Sequence, residues 1–159
     1  MRSGVDNEEF LCYKFRSMSQ NDNADIKQAK KGDARITKIG AFLRKSSLDE
    51  FPQFLNVFMG DMSIVGPRPY PLDTDFGHKS LRDINIDLRF STLPGITGLS
   101  QVNYNGKERT LFEKISYDLI YVENLSIKIY CIIVLKTFII LIKRYKKNKS
   151  GKSFKSKLE

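Results

Sequence analysis

The most apolar stretch of the chain, from Leu125 to Ile142, is interrupted by Lys128 and Lys136. A charge near the middle of a spanning helix is costly, so this stretch does not read as a clean membrane crossing. Ser126 is placed to cap a helix, and the pattern predicts one that reaches about Tyr145. The most hydrophobic element is therefore expected to be a long helix with charges inside its apolar run.

The chain beyond that helix is basic. Between Lys143 and Glu159 stand eight Lys or Arg and one acid, a balance of +7 within a total of +9 for 159 residues. Residues 1–142 are thus nearly neutral. A nucleic-acid footprint runs across a folded face, not a terminal extension, so a nucleic-acid binder is a poor reading. The tail suits anionic surfaces in general. The length fits one domain, and 41% hydrophobic residues supply a core. Cys12 and Cys131 stand far apart without metal-ligand spacing, which excludes a disulfide framework or zinc site and fits a reduced, cytoplasmic setting. The polar stretch Met1–Glu9 has no apolar segment of a secretory signal.

Along the chain, Glu9–Met18 reads as a short strand and Ser19–Gly32 as an exposed connection or weak helix. Ile36, Ile39, Ala41, Phe42 and Leu43 recur at helical spacing, with Asp33 as a cap. Leu48, Phe51, Leu55 and Phe58 predict a second amphipathic helix that ends near Gly60, with Pro52 in its first turn and Asp49 and Glu50 at its N-terminus. Gly66, Pro67 and Pro69 make Ser63–Tyr70 irregular and hold Arg68 on a stiff loop. Phe76–Asp87 is mixed, Pro94-Gly95 and Gly98 mark a second turn, Leu99–Val102 reads as extended, and residues 108–123 as helix.

Several residues invite chemistry. Adjacent carboxylates on a helix point about 100° apart, so Asp49 and Glu50 suit two neighbouring tasks better than one shared proton. A helix N-terminus favours ionised carboxylate and phosphate alike, although acids are common in first turns for structural reasons alone. Arg68 between prolines presents a guanidinium at reduced entropic cost, or is a solvated residue on a rigid turn. Lys107, Glu108 and Arg109 after Gly106 face phosphate or form a solvated charge run, and Asp118 and Tyr121, at i and i+3, join a site or bond between helices. His78, the one histidine, has no partner pattern.

Taken in order, the motifs are Lys14-Phe15-Arg16-Ser17-Met18, Asp33-Ala34-Arg35-Ile36-Thr37-Lys38-Ile39-Gly40 and Leu43-Arg44-Lys45-Ser46-Ser47-Leu48-Asp49-Glu50-Phe51-Pro52-Gln53. Asn56-Val57, Gly60-Asp61-Met62-Ser63-Ile64-Val65-Gly66-Pro67-Arg68-Pro69, Pro94-Gly95-Ile96-Thr97-Gly98-Leu99-Ser100-Gln101-Val102 and Asp118-Leu119-Ile120-Tyr121-Val122 complete the set. From about residue 2 to 142 the chain strongly resembles the bacterial sugar transferases, the monotopic phosphoglycosyl transferases. The resemblance implies an α+β, mostly helical, compact membrane-surface domain with few short strands and amphipathic interfacial helices, residues 1–142, followed by the basic tail 143–159.

It also implies a reaction: transfer of a sugar phosphate from a UDP-sugar to undecaprenyl phosphate at the cytoplasmic face of the bacterial inner membrane, starting capsule, O-antigen or exopolysaccharide synthesis. By the family pattern Asp49 is the nucleophile, Glu50 binds Mg²⁺, Arg68 steadies phosphate, and Arg44, Gln101, Lys107 and Asp118 complete the substrate site. Lys128, Lys136 and Lys143 fall within roughly an 80° arc of the last helix, which lets it lie in an interface with its lysines toward headgroups. The tail adds attraction to anionic lipid on the order of 1 kcal/mol per basic residue before screening.

Three positions depart from the family pattern: Phe51 replaces Leu, Lys107 replaces Arg without its bidentate geometry, and Tyr130 replaces Asp. Members normally open with an apolar re-entrant helix, so the sequence reads as an N-terminally truncated gene product, a fragment or one with a misplaced start. A catalytically silent, membrane-associated partner of polysaccharide enzymes is the alternative.

Overall fold

The computed structural model of the protein describes residues 1–19, 33–72, 74, 85–103 and 109–155, with side chains as far as 146. The strands are short. β1 (Arg2–Ser3) pairs antiparallel with β2 (Glu9–Phe10), and β3 (Ser63–Val65) pairs parallel with β4 (Gly95–Thr97). Around them stand α1 (Lys38–Ser46), a 3₁₀ turn (Leu48–Glu50), α2 (Gln53–Met59), a second 3₁₀ turn (Ile86–Ser91), α3 (Leu99–Val102), α4 (Leu111–Glu123) and α5 (Ile127–Lys155). The mostly helical α+β class is the one expected.

The β3–β4 pair is the hub. The backbones meet so closely that a Cβ on Gly95 would stand 2.0 Å from the Gly66 nitrogen, and one on Gly66 2.3 Å from the Leu93 carbonyl oxygen. Glycine is required at both for lack of space. Val65 of β3, Val102 of α3, Tyr121 and Val122 of α4 and Ile133 of α5 form the main core, and Ile115 and Leu119 of α4 pack a second cluster beside it. Each of these helices contributes one side to the core, because a helix is held mainly by burial of such a face.

Several local expectations are corrected. The strand expected over Glu9–Met18 stops at Phe10, and Met18 next pairs only as an isolated bridge with Ile36. Between them the backbone bonds to the Asn56 side chain and to the Asp49 carbonyl instead of to a strand. Thr37, not Asp33, caps α1 by accepting a bond from the Gly40 amide, while Asp33 is held by Arg35 in a two-residue ion pair. Ser63–Val65 is strand before the irregular loop starts, because β4 supplies a partner. Leu99–Val102 is helical, not extended. Ser19–Gly32 from residue 20 on, most of Phe76–Asp87, His78, and Gly106, Lys107 and Glu108 lie outside the described residues.

The expected α4 and α5 are present. Thr110 and Glu113 make a reciprocal capping box at the start of α4, and the Ser126 hydroxyl accepts from the Ile129 amide at the start of α5. α5 continues past Tyr145 to Lys155, across the 142/143 boundary of the basic tail. No described helix is long and apolar enough to cross a membrane.

α2 is amphipathic in an unusual sense. Its inward residues are Gln53 and Asn56, while Phe54, Leu55 and Phe58 face outward with Phe51 and Leu48 before them; Phe58 is 91% exposed and Asn56 0%. Ile39 and Phe42 of α1 and Leu135, Phe138, Ile139 and Ile142 of α5 are also exposed. On α2 and the turn before it, where the Phe51 and Phe54 rings lie 5.5 Å apart, such a run has the character of a contact face.

Candidate functional site

α1 ends at Ser47, whose φ of 60° turns the chain left-handed and directs it into the Leu48–Glu50 turn. Asp49 and Glu50 therefore stand on a 3₁₀ turn ahead of α2, not in its first turn as expected, because Pro52 begins that helix only at Gln53. Asp49 is buried and Glu50 partly so. The α2 dipole consequently acts on them less directly than the sequence suggested.

Direct charge takes over that role. The Lys14 ammonium lies 3.0 Å from Asp49 Oδ2 and 3.3 Å from Glu50 Oε1, bridging both carboxylates. Its position follows from the backbone on either side. The Phe15 amide donates to the Asp49 carbonyl at 3.0 Å, and the Tyr13 amide to Asn56 Oδ1 at 3.0 Å. Asn56 Nδ2 donates to the Leu11 carbonyl at 2.7 Å and to Asp61 Oδ2 at 3.1 Å. One buried amide thus grips the segment like a strand partner and hands Lys14 to the carboxylates.

Arg68 approaches the same Glu50 oxygen as Lys14. Its guanidinium stands 3.9 Å from Glu50 Oε1 with the side chain 47% exposed. Two cations and two carboxylates so converge at a half-open surface, an arrangement suited to phosphate groups and nucleophilic attack.

The remaining expected residues are spread around this centre. Arg44 on α1 donates to the Ser17 hydroxyl at 2.7 Å and, among the described residues, pairs with no acid. Gln101 lies on α3, which starts at Gly98; a Cβ there would meet the Gly66 carbonyl oxygen at 2.3 Å and Gln101 Oε1 at 2.9 Å, so Gln101 borders the Arg68 loop. Asp118 is not on the open face. It is 1% exposed on α4, and its Oδ2 accepts from Arg89 Nη2 at 3.4 Å. Tyr121, one turn on, donates to the Val65 carbonyl at 3.2 Å, so the face of α4 carrying both residues is a packing face.

Burial pushes the Asp118 carboxyl up to about 6, although the charge and hydrogen bond of Arg89 and the Arg68 amide pull it down. Burial lowers the Arg89 guanidinium, which Asp118 and Tyr70 partly restore. Tyr70 is pushed up to about 12 by burial, then by the Asp118 charge. The Cys12 thiol is raised chiefly by burial.

Sequence reasoning gave no site role to Lys14, Asn56 or Arg89, and offered Arg109 as a phosphate contact or a solvated charge. Arg109 donates to the Ser100 carbonyl at 2.9 Å and to the Asn103 carbonyl, and stacks on Tyr117, closing the end of α3. Lys14 and Asn56 had a signal, their places in the ordered motifs; Arg89 and Arg109 act through partners that local sequence does not name. Among the described residues no group of three or more His, Cys, Asp or Glu gathers to hold a metal. Glu50 and Asp49 are hard oxygen donors, so they fit a Mg²⁺ that keeps waters and takes its other ligands from phosphates.

Residues 1–144 match the family model described as bacterial sugar transferase. The chain is 45% identical over 148 residues, 87% of its length, to the UDP-glucose:undecaprenyl-phosphate glucose-1-phosphate transferase of Klebsiella pneumoniae, covering 32% of that protein. It is 41% identical over 140 residues to the UDP-N-acetylgalactosamine-undecaprenyl-phosphate N-acetylgalactosaminephosphotransferase of Aeromonas hydrophila, with 86% of the chain and 33% of that protein covered. It is 39% identical over 145 residues to an uncharacterized sugar transferase of Bacillus subtilis, with 87% and 68% covered. The chain thus spans about a third of the length of the first two.

Proposed function

The chain belongs to the bacterial sugar transferase family, and from that premise we propose that it moves a sugar phosphate from a UDP-sugar to undecaprenyl phosphate, with Asp49 as the nucleophile. The observation that carries this reading is the cluster itself: Asp49 and Glu50 bridged by Lys14, with the half-exposed Arg68 beside Glu50.

In the first step an Asp49 carboxylate oxygen bonds to the sugar-bearing phosphorus. The phosphorus–oxygen bond to the nucleotide breaks, and uridine monophosphate leaves with the electron pair. In the second step a phosphate oxygen of undecaprenyl phosphate attacks the aspartyl phosphate, the carboxylate departs, and a lipid-linked sugar diphosphate forms. Splitting one transfer into two easier ones is the advantage of covalent catalysis. Lys14 and Arg68 offset the charge that the diphosphate brings to two carboxylates. Glu50, with Asp49 beside it, would hold Mg²⁺ together with substrate oxygens and water. That ion supplies charge neutralisation for the leaving monophosphate.

The outward apolar residues Leu48, Phe51, Phe54, Leu55 and Phe58 flank the carboxylates in sequence. They support a site that meets its acceptor at a membrane surface, with α5 and its basic end on the same anionic leaflet. We assign the protein to the cytoplasmic face of the inner membrane and to the first step of capsule, O-antigen or exopolysaccharide assembly.

Mixed vesicles holding the full chain, UDP-sugar and undecaprenyl phosphate test the reading. Uridine monophosphate is expected to appear, Asp49→Asn to abolish it, and omission of the lipid to leave protein heavier by one sugar phosphate in intact mass. An Asp49→Asn variant with full turnover removes the nucleophile assignment.

A further inference from the structure

Arg89 is a guanidinium with 3% exposure on the second 3₁₀ turn. A buried charge is tolerated only when paired and hydrogen-bonded, and this one is shared between two acceptors. Nη2 donates to Asp118 Oδ2 at 3.4 Å and to the Arg68 carbonyl at 2.5 Å. The guanidinium carbon stands 4.8 Å from the centre of the Tyr70 ring and 5.0 Å from that of Phe90. These contacts hold it in one place beneath the Gly66-Pro67-Arg68-Pro69 loop.

The rest of that loop is anchored peptide by peptide. The Val65 carbonyl accepts from Tyr121, the Gly66 amide donates to the Thr97 carbonyl at 2.9 Å, and the Pro67 carbonyl accepts from the Gly95 amide at 2.8 Å. The Tyr70 carbonyl accepts from the Ser3 amide at 3.3 Å. Arg89 is the anchor at Arg68 itself, and Asp118 is what holds Arg89. The expected substrate role for Asp118 thus finds a different explanation: the carboxylate lies a layer below the residue that faces substrate.

We propose that Arg89 and Asp118 are positioning residues for Arg68, a buried pair that fixes the peptide from which the Arg68 guanidinium reaches the phosphate, while neither touches substrate. The inference rests on the transferase reading for its effect on rate, but the anchoring itself is a property of the loop.

Two measurements test it on the full chain in mixed vesicles. The first is a cycle of uridine monophosphate release. Asp118→Asn and Arg89→Lys are each expected to lose roughly 10–100-fold, the scale of a small misplacement of a catalytic group. In an Arg68→Ala background the same changes are expected to cost less than about 2-fold more, because residues that act through one another are not additive. Losses that multiply in full on top of Arg68→Ala overturn the proposal. So does wild-type turnover in a folded Asp118→Asn or Arg89→Lys.

The second measurement needs no turnover. Amide hydrogen exchange at Gly66 and Gly95 is expected to speed up in Arg89→Lys while Ile115 and Val122 keep their protection. Unchanged exchange at both glycines overturns the anchoring, and uniform loss across the core shows a general destabilisation that overturns it equally. Should Asp118→Asn fail to fold, Arg89→Lys carries both measurements, since it keeps the charge and loses the planar guanidinium whose Nη2 reaches both acceptors. A wild-type chain that releases no uridine monophosphate defeats the transferase reading alone, and the exchange result still decides the anchor.

Discussion

α2 and α4 carry the same kind of sequence signal and end in opposite environments. α4 buries Ile115, Leu119, Tyr121 and Val122, and α2 buries Gln53 and Asn56 while its phenylalanines and leucine face outward. Helical spacing of apolar residues establishes that a face exists, but not what covers it. In α4 the covering is protein. In α2 the polar side has the protein partners, Leu11, Tyr13 and Asp61.

The largest effect expected from this contrast is in stability. Ile115→Ala, at a site with no exposure, is expected to cost about 2–5 kcal/mol in urea unfolding. Leu55→Ala, on the outward side of α2, is expected to fall within about 0.5 kcal/mol of wild type. Equal losses at the two positions would mean that α2 packs against protein after all.

The buried side of α4 also carries a pH signature. The Asp118 carboxyl is raised from 3.8 to about 6 in the fold, by burial above all, with Arg89 and Arg68 facing it as cations and Tyr70 nearby. A group whose folded pKa is raised contributes stability that is complete below the unfolded value and is lost as pH rises through the folded one. Relative to Asp118→Asn, the wild type is therefore expected to lose on the order of 3 kcal/mol between about pH 3.5 and 7. A wild type that gains stability on Asp118→Asn over that range would reverse the sign of the shift.

On α2 the corresponding buried polar group is Asn56. Asn56→Ala leaves the Tyr13 amide and the Leu11 carbonyl without their partner, for a loss of about 2 kcal/mol. Turnover is expected to fall further than stability alone explains, because Lys14 is carried by the same segment. Full turnover in a folded Asn56→Ala would detach Lys14 from this support.

These residues also show where sequence reading stops. Asp49, Glu50 and Arg68 drew attention through their local setting, two acids before a proline and an arginine between two prolines, but their expected roles came from the ordered family motifs and not from local chemistry. Gly60 was legible as a stop for a local reason, while Pro52, expected in the first turn, stands just ahead of it. The strand expected over Glu9–Met18 failed because what residues 11–15 bond to is 43 residues away in the case of Tyr13 and Asn56, and strand formers alone do not name a partner. Arg89 was passed over between the mixed stretch and the Pro94-Gly95 turn, since its acceptors are 21 and 29 residues away. Asp118 was found as a residue, but its depth, which decides its role, depends on packing between α4 and the turn that carries Arg89.

The smallest expected change in stability is the most informative about α2. Phe58, at 91% exposure, has almost no protein contact to lose, so Phe58→Ser is expected to leave unfolding within about 0.5 kcal/mol. If lipid is what covers this face, the same substitution removes a side chain whose burial is worth about 1.5–3 kcal/mol, and binding to anionic vesicles is expected to fall at least about 10-fold. Cosedimentation with such vesicles reads this directly, with Ile115→Ala, assayed below its melting point, as the destabilised control that should bind normally. Unchanged binding in Phe58→Ser would leave the outward face of α2 without a lipid partner, and the contrast with α4 would then concern packing alone.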